Sequence, residues 1–75
     1  MVTVGVHVRT MPGCERGVML ELERLEGIDP IVLEEPGALG ILISDDDLES
    51  AHARLRDQVT RLKDVLVAWP VHLEW

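Results

Sequence analysis

Seventy-five residues, 47% apolar and 28% charged, fit one globular domain over residues 1–75, small enough to bury only about 60% of its unfolded surface. Fourteen acidic against seven basic side chains leave a formal charge of −7, which repels phosphate backbones and excludes nucleic acid as an expected partner. The chain shows no apolar run of the roughly 18 residues a membrane span needs, no export leader, and a single cysteine, Cys14, so neither an internal disulfide nor a compartment beyond the cytoplasm is expected.

At the start, Val2, Val4, Val6 and Val8 alternate with Thr3, Gly5, His7 and Arg9. β-Branched residues at period two predict a strand with one face buried and the other open. Met11, Pro12 and Gly13 break the pattern, and from Cys14 to Glu26 a helix is expected, with Val18, Leu22 and Leu25 on one stripe. Met19 and Leu20 flank the stripe as expected core, and Gly27 supplies the stop. Cys14 reads as a small helix-start residue, since a catalytic thiolate needs a base placed beside it.

Ile31 through Glu34 read as a second strand, with Pro30 marking a sheet edge because proline cannot donate to a ladder. Glu34-Glu35-Pro36-Gly37 is a turn, and Leu39 through Ser44 a central third strand. Asp45, Asp46 and Asp47 then offer caps for a second helix from Leu48 to Leu62, with Leu48, Ala51, Leu55, Val59 and Leu62 on its stripe and His52 at the boundary. The three carboxylates lack the spacing and glycine turn of a divalent-ion loop. Val65 through Leu73 form the last strand, where Pro70 again marks an edge.

The order βαββαβ has one economical solution, an α+β ferredoxin-like fold with a four-stranded antiparallel sheet in the order 4-1-3-2 and both helices on one face. The open face then carries Thr3, Gly5, His7 and Arg9, joined by Gly40. If odd-numbered residues of the last strand face the helices, Leu66, Ala68, Pro70 and His72 point outward, whereas a bulge at Pro70 exchanges the faces. Gly5, Gly40 and Ala68 would make a shallow floor that another helix or sheet could approach closely. Trp69 and Trp75 read as packing residues. His7 and His72 are expected too far apart along antiparallel strands to share a metal. No nucleophilic, acid–base or metal constellation emerges, so a noncatalytic chain without a cofactor is expected.

With the elements placed, the segment from Arg16 to His72 resembles the NapD family, small cytoplasmic chaperones of periplasmic nitrate reductase assembly. The matching stretches are Arg24-Leu25-Glu26-Gly27, Glu35-Pro36-Gly37-Ala38, Asp47-Leu48-Glu49-Ser50-Ala51, and Val65-Leu66-Val67-Ala68 followed by Val71-His72. The resemblance implies a ferredoxin-like fold that binds the twin-arginine signal peptide of an exported enzyme as a helix on the open sheet face, delaying export until the enzyme's cofactor is loaded. It would place Gly5, His7, Gly40, Leu66 and Ala68 on the peptide platform, with acidic groups at the rim. The chain departs from many relatives by reading His72-Leu73 where they have Tyr-His, and by its Trp69-Pro70 pair.

The same fold also resembles ACT and AsnC-type regulatory modules, which pair subunits through their sheets and hold amino acids at the interfaces. A homodimer would let so small a chain enlarge its core. An acylphosphatase-type enzyme would need a catalytic asparagine, and the chain contains none.

Overall fold

β1 (Val2–Thr10) carries its four valines into the core, where all are nearly solvent-free, and pairs antiparallel on both sides. The computed structural model describes residues 1–74. After β1 come α1 (Glu15–Glu23), β2 (Ile28–Val32), β3 (Ala38–Asp45), α2 (Leu48–Arg54) continuing through a π-helical turn at Leu55–Val59, and β4 (Val65–Glu74). The sheet order is β2-β3-β1-β4, the ferredoxin-like α+β arrangement that the element order predicts. Both helices lie on one face. Val18 and Leu22 of α1, Ala51 of α2 and Leu55 and Val59 of the π turn share one core with the β1 valines and with Ile28, Leu39, Ile41 and Ile43.

α1 is shorter than its apolar stripe suggests, because the chain leaves the helix at Arg24 to reach the sheet. Leu25 still packs against the core, whereas Leu20, expected there too, is exposed. Gly27 completes the exit with φ +77°, and its carbonyl accepts from the Ser44 N–H at 2.9 Å. A Cβ there would sit 2.6 Å from Arg54 Nη1 and 3.0 Å from the Ser44 carbonyl. The Arg54 guanidinium donates to the Glu26 carbonyl and to Gln58, tying α2 to this turn. Gly27→Ala is therefore expected to cost at least about 1–2 kcal/mol, the penalty of a left-handed backbone for an L-residue. The measurement is the urea midpoint.

β2 begins three residues earlier than expected, at Ile28, and ends at Val32. Ile28 drives the shift by burying itself opposite Ile43. Pro30 falls within the strand, which an edge position permits. The second helix stops being α-helical at Arg54; the Thr60 N–H bonds to the Leu55 carbonyl, five residues back. This wider turn keeps Leu55 and Val59 buried while bringing Leu62 against the core.

Candidate functional site

The open sheet face is built from alternate residues of all four strands. Cross-strand register sets its central row as Ile31, Gly40, His7 and Trp69, and the next row as Asp29, Leu42, Gly5 and His72. Toward the start of β3, Ala38 and Arg9 continue the face with Val67. Ile31, Val67 and Trp69 are exposed, while Leu33 and Leu42 are half-buried. The face is therefore far more apolar than its Thr3, Gly5, His7 and Arg9 stretch implied. Arg9 pairs with Glu35 at 3.2 Å at its margin, an exposed contact worth little to stability.

His7 occupies the centre. Its ring lies 4.6 Å from that of Trp69, centroid to centroid, with the planes tilted by 31°. His7 Nε2 is buried and has no hydrogen-bond partner among the described residues. A donor or acceptor arriving from outside the chain would have this nitrogen to pair with, and pairing a buried polar atom is favourable.

The five platform residues separate in the structure. Gly5, His7 and Gly40 lie on the open face as expected. Gly5 is not an empty floor, however, because a Cβ placed on it would meet His72 Cβ at 3.1 Å, and the glycine is what lets β4 close over it. Gly40 is less crowded, since a Cβ there would make ordinary contacts with Ile31 at 3.6 Å and Leu33 at 3.7 Å. Ala68 is corrected to the helix side, where it pairs with Val8 and packs against the core. Leu66 is corrected from a platform position to the extra residue of a bulge between Val65 and Val67, exposed but outside the register of the face.

The cause is a pair of irregularities in β4. One lies at Leu66, between the pairs of Thr10 and Arg9, and the other at Val71, between those of Val6 and Gly5. Each bulge inserts one residue and reverses the parity beyond it, so Val67 and Trp69 point outward, Ala68 and Pro70 inward, and His72 outward again. Trp69, expected to pack in the core, is thereby a surface residue of the face; Trp75 lies outside the described residues. The second bulge also brings His72 opposite Gly5, one row from His7 and roughly 7–8 Å away across the strands, closer than the sequence suggested. Among the described residues no group of three or more His, Cys, Asp or Glu side chains could hold a metal ion.

Partial burial, then the Asp64 carboxylate, holds the Cys14 thiol above its ordinary range, which suppresses the thiolate. Asp47 caps α2 by accepting from the Ser50 N–H at 2.7 Å, as the sequence predicts. Glu15 accepts from the Gly37 N–H at 2.9 Å and so ties α1 to the turn before β3. The Gly37 N–H lowers the Glu15 pKa, and the Ser50 N–H lowers that of Asp47. A carboxylate with a depressed folded pKa stabilises the fold above its unfolded pKa and loses that contribution as pH falls through the folded value. The melting temperature is accordingly expected to decline as pH drops below about 4, with a shallower decline in the Glu15→Gln/Asp47→Asn double variant. Equal slopes in parent and variant would assign the acid sensitivity to other groups.

No protein-family model matches the chain, and no curated protein sequence does. Two solved structures share its fold. One is the hypothetical protein PHS023 from Pyrococcus horikoshii, with a TM-score of 0.86 and 18% identity over the whole of this chain and 90% of that one. The other is FFRP-DM1, with a TM-score of 0.83 and 19% identity over the whole of both chains. No helix among the described residues is long and apolar enough to cross a membrane.

Proposed function

We propose that this chain is a noncatalytic regulatory module of the ACT/AsnC type, whose open sheet face pairs with that of a second copy and holds a small metabolite at the seam. The observation that supports this most is the apolar sheet face centred on His7, where Ile31, Val67 and Trp69 stand exposed around a buried nitrogen that has no partner among the described residues. Contiguous apolar surface of this kind on so small a domain marks an interaction site. Burying the usual ~800 Å² per partner would take about one sixth of the chain's 4786 Å² surface. The fold shared over its full length with FFRP-DM1 is compatible with this class.

The test is sedimentation velocity over a concentration series. A dimer is expected, tightening as salt rises, because two chains of formal charge −7 repel one another less when screened. A thermal-shift panel of amino acids then reads the ligand. A monomer that persists to about 1 mM overturns the pairing. The NapD-like reading uses the same face: acid excess and apolar surface support capture of a twin-arginine signal peptide. If a monomer bound such a peptide with resonance shifts at Gly5, His7 and Gly40, that reading would replace the pairing.

A further inference from the structure

A second surface lies on the helix-bearing side, at the β2 edge, and borders the sheet face at Leu33, Glu35 and Ala38. There α1 and β2 diverge to leave a cleft of about 600 Å³. Its apolar lining includes Met19, Leu20, Val32 and Leu39. Leu20 is 53% and Val32 71% exposed, so two large apolar side chains stand in solvent beside a ready recess. Leu20 lies on the helix two residues from the buried Leu22, and the described residues leave it half exposed.

The rim is acidic. Glu15, Glu23, Glu34 and Glu35 line the cleft against one cation, Arg16. Glu15 is engaged by the Gly37 N–H and Glu35 by Arg9, but Glu23 and Glu34 are exposed and make no ion pair among the described residues. An apolar recess with two uncommitted carboxylates at its rim selects an occupant that is both apolar and cationic. A second copy fits less well here than on the apolar sheet face, because another acidic chain would stand against the uncommitted carboxylates of this rim. An added strand fits poorly as well, since Pro30 removes an N–H from the middle of the β2 edge.

We propose that the cleft between α1 and β2 docks a basic amphipathic helix of a partner protein, its apolar side chains against Leu20 and Val32 and its lysines or arginines at Glu23 and Glu34. A helix laid beside α1 would bury both exposed side chains and meet the carboxylates one turn to either side of its apolar stripe.

The probe is a fluorescein-labelled peptide of about 14 residues, four helical turns, with leucine and lysine at helical spacing, alongside a twin in which every lysine is glutamate. The lysine peptide is expected to bind and to weaken as salt rises, and the glutamate peptide to fail. Glu23→Lys/Glu34→Lys is expected to weaken binding about tenfold or more, and Leu20→Ser about tenfold. The control Asp46→Lys/Glu49→Lys, of equal charge change at the far end of β3, should leave binding within about twofold. Amide resonance shifts should cluster at Leu20 and Val32. Binding of both peptides alike, equal loss in the control, or shifts confined to His7 and Trp69 overturns the proposal, as does absence of binding. Sedimentation of the same variants separates the two surfaces: the cleft variants should associate at least as tightly as the parent does, and only loss of self-association bears on the sheet face.

Discussion

Replacing Trp69 by aspartate is expected to turn the paired form into a folded monomer. Trp69 stands 39% exposed on the central row of the sheet face and lies against the His7 ring, so pairing would bury its indole at the middle of the interface. Aromatic anchors in such positions typically cost about 2 kcal/mol or more on truncation, and a two-fold interface counts each substitution twice. About 4 kcal/mol corresponds to roughly a thousandfold loss of affinity. The buried carboxylate would add its own desolvation cost. The monomer should keep its circular dichroism spectrum, because the side chain lies outside the core and β4 is an edge strand. Unchanged sedimentation would place self-association elsewhere, or nowhere, on the molecule.

Leu22→Ala is expected to remove a large share of the stability of the fold. Leu22 of α1 is fully buried, one of thirteen core residues among those described. Large-to-alanine core substitutions cost about 2–5 kcal/mol, including the cavity left behind. A stable domain of this size holds only about 4–11 kcal/mol in total at roughly 0.05–0.15 kcal/mol per residue. Leu20→Ala, two positions earlier and exposed, should stay within about 0.5 kcal/mol of the parent. Urea denaturation of the two variants checks both expectations, and equal midpoints would mean that α1 does not pack as described.

The two variants also mark where local pattern carries information and where it fails. Val18, Leu22 and Leu25 repeat at helical spacing, and that spacing alone identifies the face of α1 that packs. Leu20 is as apolar as they are but off the stripe, so its exposure follows from helix geometry. For β1, β3 and the cap at Asp47 the reading was equally direct, because period-two burial and side-chain capping are properties of neighbouring residues. β2 was displaced because Pro30 reads locally as a boundary, whereas an edge strand can contain it. The candidate face was half legible. Gly5, His7 and Gly40 lie on regular strands, but Leu66 and Ala68 lie on a strand whose parity turns over twice.

By itself the sequence determined the order of elements, the ferredoxin-like topology, the two edge strands and which side of β1 is buried. These follow from periodicity, turn chemistry and the handedness of crossovers, all carried by short stretches of chain. Only the tertiary structure decided what the open side contains. A β-bulge places two residues of one strand opposite one of its partner and so shows only in the pairing register, and the bulges at Leu66 and Val71 put Val67, Trp69 and His72 beside His7 in place of a small-residue floor. The acidic cleft likewise appears only in the tertiary structure, which brings Leu20 of α1 and Val32 of β2 to one recess from separate elements.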